Sequence, residues 1–162
     1  AAFQLAWQEI YEALPPAAEG FLYIDLHADN IIHLPRRRGL RRYGLLDFQG
    51  ALKGPLAYDI AHWLYDPRRP MTETARSEGL RKRLESQDPE SRENLQAWIP
   101  VMAAHLTCRC LGQFIRLARR DGKPGYLQHI PQLENYLGHL MDEPGLAPLR
   151  RFIRSQFLQD AA

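Results

Sequence analysis

The sequence predicts one mainly α-helical domain that carries a single small β-hairpin, and three observations support this class. Apolar residues recur at helical spacing in several stretches, most clearly at 92–120. Two short apolar runs, 30–34 and 43–46, flank a basic turn at 35–42, which is the pattern of a hairpin. The length of 162 residues, with 45% hydrophobic and 25% charged residues, is ordinary for one globular domain, so we treat 1–162 as a single unit.

The remaining elements are predicted as helices, with a short connection or strand at 17–22. The first helix covers 2–14 and ends at Pro15, and others follow at 58–65, 71–85, 92–120, 126–141 and 146–158. Pro100 lies inside the fourth of these and must kink or divide it, while Gly122 is the expected C-cap. The inner face of the last helix is predicted to hold Leu149, Phe152, Ile153 and Phe157.

Composition argues against several classes of protein. A net charge of +2 is too small to imply a nucleic-acid partner, and no apolar run reaches the roughly 20 residues of a membrane span. No secretory signal opens the chain. Cys108 and Cys110 are two residues apart on a predicted helix, so they face opposite ways and form neither a disulfide nor a shared metal site. We interpret them as packing residues of a cytoplasmic protein.

The candidate site lies at the ends of the hairpin. Asn30 opens the first strand and Asp47 follows the second, so the two should lie side by side, with Asp25 one loop upstream. Any one of these residues alone is more often a turn-former or a cap. Two carboxylates and an amide that converge are instead the hard oxygen ligands that Mg²⁺ prefers.

The order of these residues also carries information. An Asp, four intervening residues, an Asn and a later Asp-Phe follow the order of a kinase catalytic loop and metal loop. In that template the first Asp orients the attacking hydroxyl, and the Asn and the second Asp hold the metals. Asp25, Asn30 and Asp47 are therefore the candidates for these roles.

Two segments, YIDLHADN at 23–30 and LLDFQGALKGPLAYDIAHWL at 45–64, resemble the aminoglycoside phosphotransferase and choline kinase superfamily. The sequence of segments 111–137 and 146–153 is similar to that of bacterial sugar kinases that act on N-acetylmuramate and N-acetylglucosamine at the anomeric hydroxyl. The resemblance implies the C-terminal lobe of a protein-kinase-like α+β fold. It also implies an enzyme that uses ATP and Mg²⁺ to phosphorylate a small molecule, most simply an amino sugar.

The resemblance assigns roles by position. Asp25 would be the catalytic base or hydroxyl-orienting group, Asn30 and Asp47 metal ligands, and Asp59 a structural brace of the catalytic loop. Tyr23 stands where the family usually has a supporting His, so its hydrogen bonds should differ. Gln49 follows Asp47-Phe48 where protein kinases have Gly.

The nucleotide-binding lobe of that fold is not visible in the sequence. Lys53, Lys82 and Lys123 are the three lysines, and none follows a glycine-rich strand pair. The chain also begins without Met. We expect it to be the back part of a longer polypeptide; the alternative is a free-standing lobe that binds a sugar or Mg²⁺ weakly.

The acceptor and the rival functions stay open at this point. An acidic sugar would need an arginine for its carboxylate, and the unranked candidates are Arg68, Arg109, Arg116 and Arg119. The rivals are an aminoglycoside or choline-type kinase, a nucleic-acid-binding module that uses the basic turn at 36–42, and a non-catalytic kinase-like module. ATP and GTP both stay open as the phosphate donor, and the oligomeric state stays open as well.

Overall fold

The computed structural model describes residues 2–157, and of Phe157 only the backbone. Ten regular elements follow one another along the chain: α1 Ala2–Glu12, β1 Glu19–Leu22, β2 Ile31–His33, β3 Tyr43–Leu45, β4 Leu52–Pro55, α2 Ala57–Leu64, α3 Glu73–Glu85, α4 Pro89–Arg120, α5 Ile130–Leu140 and α6 Ala147–Phe157. Short 3₁₀ turns lie between several of them, including Ala28–Asn30 before β2 and Phe48–Gly50 after β3. The mainly helical class is confirmed.

The predicted hairpin is present. Strands β2 and β3 pair antiparallel, with Ile31 opposite Leu45, Ile32 opposite Gly44 and His33 opposite Tyr43. Gly44 is needed there, because a Cβ at this position would lie 2.8 Å from Cγ1 of Ile32. The hairpin therefore closes tightly at its centre and presents its two ends to the loops that flank it.

Beside the single predicted hairpin the structure has a second two-stranded sheet, which the sequence did not predict. Strands β1 and β4 pair antiparallel, from Glu19 opposite Pro55 to Leu22 opposite Leu52. The partners are far apart in sequence, and β4 reads Leu-Lys-Gly-Pro, which contains two poor strand formers. This pairing brackets the predicted site, because the loop with Asp25 and Asn30 leaves β1 and the segment after Asp47 enters β4.

The long helix α4 is continuous over its 32 residues. Asp88 caps its start by accepting a hydrogen bond from the Ser91 amide at 3.0 Å. Pro100 lies inside and does not divide the helix. Beyond its end Gly122 has φ +65°, as expected for a residue that terminates a helix.

The core forms around α4, which packs against α2 and α5, while α1 packs against α6. Its larger part includes Ile10, Ala61, Ile99, Val101, Leu146 and Leu149, all buried. Phe152 and Ile153 of α6 pack against it as predicted, whereas Leu158 of the predicted last helix lies outside the described residues.

Both cysteines are free thiols. Cys110 is buried, and burial raises the pKa of Cys108 to about 11, so both suit a packing role. None of the helices between residues 2 and 157 combines the length and hydropathy that crossing a bilayer requires.

Candidate active site

The loop between β1 and β2 carries Asp25 and Asn30 in direct contact. The Asn30 side-chain amide donates to the backbone oxygen of Asp25 at 3.0 Å, and its Nδ2 lies 3.5 Å from Oδ2 of the Asp25 carboxylate. The Asp25 side chain is 48% exposed, so its carboxylate remains open to a ligand. The structure thus brings together two of the three residues that the sequence singles out.

The residue before Asp25 has an unusual backbone. Ile24 has φ +74°, a left-handed conformation that a β-branched residue rarely adopts. Its N–H donates to Oδ1 of Asp59 at 2.9 Å, and its carbonyl accepts from Nδ1 of His62 at 2.9 Å. Strained backbone persists only where the surroundings hold it, so these two contacts fix the direction in which the chain enters Asp25.

Asp59 makes a second contact with the same loop. It lies in the first turn of α2, and its Oδ2 accepts the Tyr23 amide at 2.5 Å. One carboxylate therefore accepts two consecutive backbone amides, which are charge-assisted hydrogen bonds. These are the contacts that a bracing role requires; the role itself stays a prediction.

Two histidines that the sequence did not single out also support the loop. His62 donates from Nδ1, and its pKa is lowered chiefly by burial, so the neutral ring is favoured. His27 is 7% exposed, and its Nε2 lies 3.5 Å from Oδ2 of Asp25. The two ring centroids are 6.4 Å apart. For His27 the signal was its position between Asp25 and Asn30; for His62, on a separate helix, the sequence offers none.

Asp47 reaches the site from the other end of the hairpin. The Leu46 amide donates to the Asn30 carbonyl at 2.9 Å, so the backbone sets Asp47 beside Asn30. Asp47 has φ +63°, which Asp tolerates better than most residues. Its exposed carboxylate accepts a hydrogen bond from Gln49 and makes no contact with the Asp25 or Asn30 side chains.

Tyr23 lies two residues before Asp25, and its backbone N–H is one of the two amides that Asp59 accepts. Its side chain is 4% exposed, and its hydroxyl has no hydrogen-bond partner in the described part of the chain. Burial raises the pKa of Tyr23, and the charges of Asp47 and Asp25 raise it further. The neutral hydroxyl is therefore the favoured form of Tyr23.

The donor set fits a hard divalent ion. Residues 2–157 contain no cluster of three or more His, Cys, Asp or Glu side chains suited to a metal. Mg²⁺ does not need such a cage, since it binds through one or two carboxylates and takes its other ligands from water and phosphate. Asp47 and Asn30 carry oxygen atoms of that kind, and their role as metal ligands stays a prediction.

The family follows from comparison with known proteins. Residues 1–98 match the phosphotransferase enzyme family known as APH. The match covers more than half of the 162 residues, so the chain belongs to this family.

The chain is also similar to individual proteins. The chain is 35% identical over 148 residues to an N-acetylmuramate/N-acetylglucosamine kinase of Caulobacter vibrioides, covering 89% of this chain and 41% of that protein. It is 33% identical over 144 residues to the kinase of the same name from Neisseria meningitidis serogroup B, covering 81% and 41%. The Pseudomonas aeruginosa kinase of that name is 28% identical over 158 residues, covering 92% and 46%. The chain thus spans less than half the length of these curated relatives.

Proposed function

We propose that the protein carrying this chain is an ATP- and Mg²⁺-dependent kinase that phosphorylates a hydroxyl of an amino sugar of the N-acetylmuramate or N-acetylglucosamine type. The observation that carries the proposal is the 35% identity over 89% of the chain to a kinase with that name. The contact between Asp25 and Asn30 supports it, as does the backbone hydrogen bond from Leu46 to Asn30 that brings Asp47 beside Asn30. A cytoplasmic location agrees with two free thiols.

The residues suggest how the transfer would proceed. Asp25 orients the sugar hydroxyl and accepts its proton while the hydroxyl oxygen bonds to the γ-phosphorus and the bond to the ADP leaving group breaks. Asn30 and Asp47 would hold Mg²⁺, which when bound neutralises charge on the phosphates. The backbone contacts of Ile24 with Asp59 and His62 keep the Asp25 carboxylate oriented.

We further propose that this chain is the C-terminal lobe of the enzyme and that a second lobe supplies the glycine-rich loop and the phosphate-binding lysine. Support comes from large apolar side chains in the two sheets and in the turn after β3, which are exposed. Large apolar patches on a surface mark interfaces. The exposed residues are Phe21, Ile32, Tyr43, Leu45, Leu46, Phe48 and Leu52.

The test uses the full-length protein with ATP and Mg²⁺ and a panel of N-acetylmuramate, N-acetylglucosamine, an aminoglycoside and choline. We expect a sugar phosphate as product and no phosphorylated aminoglycoside or choline. Asp25→Asn should lower kcat by about 10²- to 10⁴-fold, because it removes the general base, while the KM for ATP changes by less than about twofold. Asp142→Asn, at an exposed carboxylate in the turn after α5, is the control.

Two results would contradict the proposal. Phosphorylation of the aminoglycoside or choline with neither sugar accepted would assign the enzyme to another acceptor class. Near-normal turnover by the Asp25→Asn variant would remove Asp25 from the mechanism.

A further inference from the structure

A cavity of about 310 Å³ lies between helices α2 and α3. Ile60, Trp63 and Leu64 form its wall on α2, and Leu26 of the β1–β2 loop closes one side. The residues proposed for catalysis and metal binding do not line it. Sites that bind small organic molecules begin at roughly this size and are mostly apolar, with a few placed polar groups. The cavity therefore has the size and the lining of a ligand site.

The wall on α3 consists of small residues. Ala75 and Gly79 stand one turn apart on the side of α3 that meets α2, and a Cβ at Gly79 would lie 3.6 Å from Cδ2 of Leu64. The two leucines of α3, Leu80 and Leu84, pack against the core and do not line the cavity. The space stays open because no large side chain of α3 enters it.

The surface that the cavity offers is aromatic and aliphatic. Trp63 is 36% exposed although it lies between two helices, so much of its ring is not covered by the chain. Met71, two residues before α3, lines the same cavity, and methionine adapts its shape readily to a bound group. A tryptophan ring gains by burial against apolar matter. The occupant should therefore have an apolar body.

The charges in the cavity define the other end of the occupant. Asp59 and Arg83 are its two charged lining residues. Both carboxylate oxygens of Asp59 already accept backbone amides, those of Tyr23 and Ile24. The Arg83 guanidinium group donates only to the Ser86 hydroxyl, at 3.3 Å, and among residues 2–157 no carboxylate lies within 4.0 Å of it. The charge without a partner is positive, so the occupant should carry an anionic group.

We propose that this cavity binds a small organic acid, with its apolar body against Leu26 and Trp63 and its carboxylate on Arg83. A planar guanidinium group matches a carboxylate with two parallel hydrogen bonds and stays charged at any physiological pH. The site goes beyond the proposed phosphoryl transfer, since its ligand is neither the sugar nor the nucleotide. Asp59 lines the cavity and also holds the backbone that enters Asp25, so the occupant lies against the group that orients that loop.

The experiment measures binding of octanoate to the full-length protein, with octanol as a neutral probe of the same chain length. Calorimetry and tryptophan fluorescence follow both titrations. We expect saturable binding of octanoate at one site with a Kd of about 1 mM or less, and octanol at least about tenfold weaker. Trp63→Phe should remove the fluorescence change while calorimetry still detects binding, because Trp7 and Trp98 do not line the cavity.

Two variants of α3 test the position of the anion and of the apolar body. Arg83→Gln should raise the Kd for octanoate about tenfold and leave that for octanol unchanged. The matched control is Lys82→Gln, which removes the same charge from the next residue of α3, exposed and outside the cavity, and should change neither Kd. Ala75→Met should fill the cavity and weaken binding of both probes at least about tenfold. Thermal unfolding of each variant verifies that it is folded.

Several results would overturn the site. These are the absence of saturable octanoate binding, octanol bound as tightly as octanoate, and equal effects of Arg83→Gln and Lys82→Gln. Octanoate binding that persists undiminished in Ala75→Met would place the ligand elsewhere and overturn it as well. All of these measurements are made without ATP or sugar, so the kinase function stands or falls on its own test.

Discussion

Single residues around Asp25 show two features that folded proteins usually avoid. Ile24 has a left-handed backbone, and Tyr23 has a buried hydroxyl without a partner in the described part of the chain. Such departures from local preference concentrate at functional sites, where the surrounding structure holds them in place. In this loop the holding groups are Asp59 and His62, both from α2.

The buried hydroxyl of Tyr23 leads to a stability prediction. Because that hydroxyl has no partner in the described part of the chain, Tyr23→Phe should leave the free energy of unfolding unchanged or raise it. The control is Tyr11→Phe, since the Tyr11 hydroxyl bonds Nδ1 of His105 at 2.6 Å and its loss should cost about 1 kcal/mol. Urea denaturation measures both, and a Tyr23→Phe variant that is less stable than Tyr11→Phe would contradict this account.

The pH dependence of stability follows from His62. Burial lowers its pKa in the folded protein, so as pH falls through about 6.5 the unfolded chain takes up a proton that the folded chain does not. The free energy of unfolding should therefore decrease between about pH 7 and pH 5. His62→Asn keeps a donor near Nδ1 but cannot titrate, so its decrease should be smaller.

Urea denaturation at several pH values between 5 and 7.5 tests this dependence. His105 also has a pKa lowered by burial, so part of the decrease should persist in His62→Asn and diminish again when His105→Asn is added. An unchanged pH slope in both variants would show that neither imidazole carries the effect.

Two glycines in and after helix α4 should change the free energy of unfolding in opposite directions when each is replaced by alanine. Gly112 lies inside the helix and Gly122 just beyond it, and a Cβ would meet no atom within 4 Å at either position. Only Gly122 has a positive φ, +65°. Gly112→Ala should raise the free energy of unfolding by about 0.5–1 kcal/mol, and Gly122→Ala should lower it by about 1–2 kcal/mol. Denaturation curves that shift in the same direction for both would contradict it.

The elements that the sequence predicted well are those set by local pattern. Helical spacing and flanking prolines predicted the six helices, and Gly122 predicted where α4 ends. These signals lie within a few residues of the structure that they specify. The β1–β4 pairing was missed because each strand is stabilised by a partner distant in sequence. Whether Pro100 divides its helix also depends on tertiary packing, since α2 and α5 pack along α4.

The candidate site divides in the same way. Asp25, Asn30 and Asp47 could be selected because the kinase template imposes a fixed order and spacing on its catalytic and metal-binding residues, and their roles stay predictions. His62 could not, because its role depends on α2 lying under the loop, where its ring reaches the Ile24 carbonyl.

At the scale of the whole molecule, the hairpin is the part with least support from its own chain. Its two strands form three residue pairs and expose apolar side chains such as Tyr43 and Leu45. If a second lobe covers it, amide hydrogen exchange in β2 and β3 should be at least about tenfold slower in the full-length protein than in residues 1–162 alone. Amides in the middle of α4 should differ little and serve as the internal reference. Equal exchange of the hairpin in both proteins would contradict the two-lobe proposal.

The left-handed Ile24 also has a consequence for protein engineering. Glycine adopts that backbone geometry without steric penalty, so selection for thermal stability alone should favour the replacement Ile24→Gly. The same replacement would make the loop more flexible and hold the Asp25 carboxylate less firmly in one orientation. Under the proposed function, stability would then favour glycine at position 24 and the catalytic rate would favour isoleucine.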